Sequence, residues 1–325
     1  MKTINVIATT ISGSIKDWQK LKNIDKEFKK YYPGKVEVYI VDSHKEAREK
    51  ANGLIRNGER LIVSAGGAGT FNSVLEGCWL NERFPEGLRL AFLRKGSADL
   101  IGRVLKITDN LPEAAEIISR SVQDDKTIES DVIEVSANER KHHLIGFGGI
   151  GIFGVVPYFT ESRFIKYYKG LLSYFFGDRG PFLVGVNLAM IKFYLDKVSK
   201  KRRFLLRTPE TQLSADEYSS VIIMNGDLGK IFPLASGMPL STGDFKVVVL
   251  KDLGLITSYR QMIHLGKGDF EQFEERLGIR ILRTKELTIH PEDPSEYMVN
   301  VDGLRLIVTG TVIFKVSDRI KLITG

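Results

Sequence analysis

The apolar run at 60–65, Arg-Leu-Ile-Val-Ser-Ala, breaks into Gly66, Gly67, Ala68, Gly69 and Thr70, and a helical pattern starts at once and reaches Leu80. Few folds accommodate that succession. A short apolar run without alternation asks for burial on both faces, as in a parallel sheet covered by helices. Glycines at the turn let backbone N–H groups approach an anion, and the helix N-terminus behind them adds its dipole and unpaired donors. No Gly-Lys-Ser/Thr follows, so this is not a Walker A loop, and the spacing is not Gly-x-Gly-x-x-Gly. A tight strand-to-helix turn with no ligand is the competing reading. Ala68, in the middle, carries nothing that could hold a metal or a proton.

The surrounding pattern agrees with a parallel sheet. Strands are expected at 3–9, 35–41, 60–65 and 88–93, and helices at 18–31, 44–57, 70–80, 99–105 and 111–120. That alternation predicts an α/β domain over residues 1–130, Rossmann-like, with ligands at the carboxyl ends of the strands. Those ends fall at 65–70 and 94–99. From about residue 131 the pattern turns to strands at 131–137, 142–148, 203–208, 219–225, 245–251, 279–290, 296–303 and 304–317. Turn pairs such as Asn225-Gly226, Thr242-Gly243 and Asp302-Gly303 punctuate them. Helical stretches are expected only within 161–198 and at 270–278. A predominantly β, sandwich-like second domain over 131–325 follows, with its final strand or strands returning to the first domain as a variant of that division.

Bulk properties narrow the partners. Cys78 is the only cysteine, which excludes an intramolecular disulfide and fits a reducing compartment. The apolar stretch 144–159 is too short and too glycine-rich for a membrane span. No signal-peptide or lipidation pattern opens the chain, so a cytoplasmic protein is expected, soluble or peripheral to a membrane. The formal charge of +7 suits nucleotides or anionic surfaces, and the densest basic cluster is Lys197, Lys200, Lys201, Arg202, Arg203 and Arg207. It reads first as a solvated basic hairpin and second as a membrane-facing patch. No aromatic spacing of an RNA-binding motif accompanies it, and nucleic acid is set aside as a partner. Self-association is neither required nor excluded by the sequence.

The stretch "GGAGTFNSVLEG" resembles the G-G-D-G-T-x-N-E-V-x-x-G signature of the diacylglycerol kinase catalytic-domain family, which includes bacterial lipid kinases and sphingosine kinases and is distantly related to NAD kinases. Gly66, Gly67, Gly69, Thr70, Asn72, Val74 and Gly77 match, whereas Ala68 stands for the Asp and Ser73 for the Glu. Further likenesses follow in order. "KGSADLIGRVLKI" at 95–107 is similar to G-T-x-N-D-F-A-R-x-L-G-I, with Asp99 at the Asn and Leu100 at the Asp. "GFGGIG" at 146–151 and "KGLLSYFF" at 169–176 resemble the opening of the family's second domain, and "IIMNGDLG" at 222–229 its V-x-N-G strand. "PLSTGDFKVVVL" at 239–250 resembles D-D-G-x-L-D-V-V-V with Thr242 at the Asp before Gly. "VNVDGLRL" at 299–306 resembles V-Q-V-D-G-E-P-L with Leu304 at the Glu.

The resemblance implies ATP as the bound nucleotide and a lipid hydroxyl, at a membrane surface, as acceptor. It implies that Gly66, Gly67, Gly69 and Thr70 face the phosphates, that Asn72 and Ser97 shape the nucleotide pocket, and that Arg94, Lys95 or Arg103 neutralise charge. Ser12 and Gly13 match an N-P-x-S-G segment in which Thr9 and Thr10 replace the Asn and Pro. Phosphoryl transfer depends on cations around the phosphates and on a carboxylate that holds metal or accepts the hydroxyl's proton. Ala68, Leu100, Thr242 and Leu304 all stand where the family has an acid, Leu304 where it has the general base. That loss argues against bound Mg²⁺ and against the family's usual chemistry. A shifted set, Asp99, Asp244 and Asp302, is the alternative source of carboxylates. The expected function is a lipid-kinase-like ATP-binding frame with weak or lost catalysis; the alternative is a non-catalytic nucleotide- or lipid-binding relative acting as sensor or partner.

Overall fold

A computed structural model describes residues 2–11, 15–94, 100–160, 180–199, 202–230 and 232–325. They fall into two compact units, one of residues 1–130 with 318–325, the other of residues 131–317.

In the first unit, β1 (Ile4–Thr9), α1 (Ile15–Tyr31), β2 (Val36–Val41), α2 (His44–Arg56), β3 (Leu61–Gly66), α3 (Ala68–Cys78) and β4 (Arg89–Arg94) alternate, followed by α4 (Leu100–Val104) and α5 (Leu111–Gln123). The sheet runs β2-β1-β3-β4, all parallel, and Lys321 and Leu322 add a further parallel partner beside Arg89 and Leu90. β1 and β3 are buried along their whole length, which is why both are mostly apolar without alternation, Asn5, Thr9 and Ser64 being their buried polar members. α2 begins with a reciprocal cap: Glu46 N–H donates to Ser43 Oγ at 3.1 Å, and the Glu46 carboxylate accepts from Asp42 N–H at 3.0 Å. α5 begins at Asn110, whose side chain accepts from Glu113 N–H at 3.2 Å. Gly77 lets α3 lie against α2, since a Cβ there would stand 2.3 Å from Arg48 O.

The chain enters the second unit within β5 (Thr127–Ala137) and continues through β6 (Arg140–Leu144), β7 (Phe147–Gly151), α6 (Ile152–Thr160), α7 (Gly180–Ser199), β8 (Phe204–Arg207), β9 (Gln212–Asp216), β10 (Tyr218–Met224) and β11 (Phe245–Lys251). Then come α8 (Leu255–Lys267), α9 (Glu274–Leu277), β12 (Ile279–Thr284), β13 (Glu286–Pro291), β14 (Tyr297–Val301), β15 (Leu304–Val308) and β16 (Val312–Ile323), which leaves the unit at Ser317. One antiparallel sheet has the order β12-β11-β10-β7-β14-β15; β13 pairs antiparallel with β8 and β16 in the other, where β8 also pairs β9. Val221, Val247 and Val299 from the first set meet Ile133, Leu206, Leu287 and Phe314 from the second in one core, the arrangement of a β-sandwich.

Several expected elements are corrected. The run 279–290 is two strands parted at Lys285 and placed in different sheets, and 304–317 is broken at Thr309-Gly310, with Gly310 at φ 87°. The run 142–148 divides at Ile145-Gly146. At 270–278 a 3-10 turn over Phe270–Phe273 precedes the single turn of α9. Helix α8 was not expected at all. Lys197 lies on α7 rather than in a hairpin, and Lys200 and Lys201 lie outside the described residues.

Candidate functional site

β3 delivers Gly66 to its carboxyl end, and Gly67 adopts an extended conformation (φ −95°, ψ −174°) as N-cap of α3 without offering a side-chain cap. Phe71 N–H donates to Gly67 O at 3.0 Å, the first bond of the helix. The backbone N–H groups of Ala68, Gly69 and Thr70 therefore have no acceptor within the helix, and they lie at its positive end. Gly67, Ala68 and Gly69 are half-buried, so these donors lie near the surface of the unit. Thr70 turns inward. Its hydroxyl makes a buried 2.8 Å hydrogen bond with Thr9 Oγ1 at the end of β1, and it crosses so close to Gly66 that a Cβ there would stand 2.4 Å away. The side chain of Thr70 thus ties the loop to the neighbouring strand, which leaves its N–H as the group it presents at the start of the helix. Ser73 Oγ donates to Gly69 O at 2.8 Å, and Asn72 is buried on the inner face of α3. Cys78, at the end of α3, is also buried, and burial pushes its thiol up.

The other residues of the expected site are distributed as follows. Ser12, Gly13, Lys95, Gly96, Ser97 and Asp99 lie outside the described residues, as do the side chains of Arg94, Leu100 and Arg103. In the second unit, Thr242 Oγ1 donates to Asp244 O at 3.1 Å, and Leu304 packs against the sandwich core. Asp244 is paired with Arg283 at 2.8 Å; burial works to raise its pKa, but the guanidinium and the Thr242 contact outweigh it and hold the carboxyl below its ordinary range. Asp302 is wholly buried. Its carboxylate accepts from Ile145 N–H at 2.8 Å, Gly146 N–H at 3.0 Å and Phe147 N–H at 2.8 Å, and it separates β6 from β7. Both surviving aspartates have structural partners. Among the described residues no group of three or more His, Cys, Asp or Glu is placed to hold a metal ion.

A second feature was not foreseen. Within the second unit, Lys197 on α7 pairs with Glu217 at 2.7 Å and Asp252 at 2.5 Å, and Asp252 also accepts from Tyr194 Oη at 2.9 Å and from Gly254 N–H at 2.9 Å. Burial works against the charge on Lys197, but the two carboxylates outweigh it and raise its pKa; burial and hydrogen bonding push Tyr194 up to about 12. This network borders a cavity of about 190 Å³ whose apolar wall includes Val155, Phe193, Phe204, Met298 and Ile307. In the sequence Lys197 is one member of a basic run and Asp252 an ordinary turn residue. No spacing signals that they meet.

Comparison with known proteins bears on both units. Residues 3–133 match the family model of the diacylglycerol kinase catalytic domain. Over 215 residues the chain is 23% identical to a diacylglycerol kinase of Staphylococcus haemolyticus (strain JCSC1435); the match covers 61% of this chain and 62% of that protein, a little under two thirds of its length. A solved structure of a diacylglycerol kinase from Bacillus anthracis str. Sterne superposes with a TM-score of 0.64 at 17% identity, covering 100% of this chain and 97% of that one. An NAD kinase from Archaeoglobus fulgidus in complex with ATP superposes with a TM-score of 0.52 at 11% identity, covering 100% and 94%. The resemblance read from the motifs therefore holds: residues 3–133 match the diacylglycerol kinase catalytic domain, and the chain has the diacylglycerol kinase fold, which the NAD kinase shares more distantly.

Proposed function

We propose that this protein is a diacylglycerol-kinase-like ATP-binding frame in which phosphoryl transfer to a lipid hydroxyl is weak or lost. One observation carries the reading. Ala68 occupies the first position of α3, among the three backbone donors that have no acceptor within the helix, and supplies no carboxylate where phosphate and metal would meet. The donors of Ala68, Gly69 and Thr70 would hold phosphate oxygens, and the positive end of α3 would favour their charge. The Thr9–Thr70 bond keeps that turn fixed. Asp244 and Asp302 are engaged by Arg283 and by three backbone N–H groups, which supports their having structural rather than proton-transfer roles. The lipid is assigned to the cavity of the second unit, whose apolar wall and charged border suit an amphiphile. A non-catalytic sensor or partner is the limiting case of the same reading, reached if transfer is absent altogether.

Two measurements test this. ATP at about a hundred times its Kd stabilises a one-site protein by about 2.7 kcal/mol, so the melting temperature should rise on adding ATP, with or without Mg²⁺. Transfer of labelled phosphate to extracted lipids, with Ala68→Asp as the comparison, should run orders of magnitude below the roughly 1–100 per second of active kinases. No thermal shift with ATP overturns the binding frame. Turnover of the unmodified protein at kinase rates overturns the loss of catalysis.

A further inference from the structure

A surface helix ordinarily turns its apolar residues inward and its polar residues to water. Helix α8 departs from this: Leu265 is buried and Met262 packs on a core cluster, but a second apolar set faces outward. Its buried positions include Ser258 and Gln261: Ser258 Oγ is hydrogen-bonded to Tyr194 Oη at 2.8 Å, and Gln261 donates to Lys251 O at 2.9 Å and Leu277 O at 2.7 Å. Its outer positions are Leu255, Ile256, Tyr259 and Ile263, exposed by 51%, 77%, 52% and 40%, with Leu253 exposed in the turn before the helix. Ile256, Tyr259 and Ile263 are spaced three and four apart and share one face. Polar bonds together with Leu265 and Met262 hold this helix to its unit, and the outer apolar stripe is left for something else.

We propose that this face of α8, with the Leu253 turn, docks the protein on an anionic lipid surface. Charge selects that occupant. From 253 to 268 the sequence contains Arg260 and Lys267 and no Asp or Glu. The acids on either side are engaged, Asp252 by Lys197 and Asp269 by His264 at 2.9 Å. An exposed apolar stripe bordered by cations and free of acids is the pattern of a helix lying in a bilayer interface. Continuity supports it too. α7 is joined to α8 through Tyr194 and Ser258, and it also exposes Ile191 and Leu195, one turn apart. Asp252, three residues before the first exposed leucine of α8, borders the cavity assigned to the lipid. The proposal rests on the lipid-directed reading above for its purpose, but not on turnover or on nucleotide.

The test is flotation of the full chain with vesicles of phosphatidylcholine alone and of phosphatidylcholine mixed with phosphatidylglycerol. One variant carries Ile256→Gln, Tyr259→Gln and Ile263→Gln; a second carries Arg260→Glu and Lys267→Glu. The unmodified protein floats with the mixed vesicles, and reversing the two charges lowers that partitioning on the order of tenfold or more, since each basic residue near an anionic surface contributes about a fivefold factor. The glutamine variant loses flotation as well. Both keep the parent's melting temperature and its rise with ATP, because every altered side chain is on the outer face. A parent that does not float, or variants that float equally well, overturns the proposal. So does a parent that fails to float and forms a dimer that the glutamine variant breaks, since the face would then join two copies. Flotation lost in both variants, together with no ATP effect in any protein, supports this surface and removes only the nucleotide reading.

Discussion

Asp302 is the residue whose environment departs furthest from what its motif suggests. Burial raises its pKa from the ordinary 3.8 to about 6, and the three backbone donors that favour the charged form offset this only in part. Because the folded value lies above the unfolded one, the stabilisation contributed by this carboxyl is complete below about pH 3.8 and is lost as pH rises through about 6. The stability difference between the parent and Asp302→Asn, from urea unfolding, should therefore fall across that interval and be level above it. Asp302→Ala should cost several kcal/mol at any pH, at about 1–3 kcal/mol for each buried N–H left without an acceptor. The glycine motif was legible for a comparable reason: strand burial and helix initiation both depend on neighbouring residues. The roles of its members were not. Gly77 serves helix packing against Arg48, and Thr70 spends its hydroxyl on Thr9, contacts made across 29 and 61 residues (77 − 48 and 70 − 9) that no local spacing encodes.

At the scale of elements, burial pattern decided what could be read. β1, β3 and the sandwich strands announce themselves because their buried positions are apolar. Helix α8 does not: its inward positions mix Ser258 and Gln261 with Leu265, while Leu255, Ile256, Tyr259 and Ile263 face outward, so its apolar residues do not form one buried stripe. The runs 279–290 and 304–317 read as single strands because apolar residues continue past the breaks at Lys285 and Gly310. The tie between α7 and the turn before α8 has a measurable weight. Lys197→Met leaves the Asp252 carboxylate, which is almost wholly buried, without its cation; after solvent screening of the quarter-exposed lysine the loss should be on the order of 1–3 kcal/mol. The pairing holds the Asp252 pKa below its ordinary value, so that stabilisation is present above the carboxylate range and lost as pH falls through it. Chemical denaturation should show the variant's deficit at neutral pH and a smaller one in acid.

For the molecule as a whole, the division into units is not a division of the chain into halves. Residues 318–325 complete the first unit, where Ile320, Leu322 and Ile323 are buried and Leu322 lies beside Leu90 of β4. A chain ending at Ser317 should lose several kcal/mol from the first unit, at about 1.5–3 kcal/mol for each buried aliphatic side chain. Both tryptophans, Trp18 and Trp79, are in that unit. Their fluorescence should report its earlier melting in the shortened chain, and an unchanged transition would show that the returning segment does not stabilise it. The same connectivity sets an order of events during translation. Domains usually fold in turn as they leave the ribosome, amino-terminal first. Here the unit bearing the glycine loop must wait for 187 intervening residues, the span from Asp131 to Ser317 (317 − 131 + 1), before its last strand is available. A nascent chain cut short anywhere in that span would emerge with the edge of β4 unpaired, and cellular proteases could use that exposed edge to distinguish unfinished copies from finished ones.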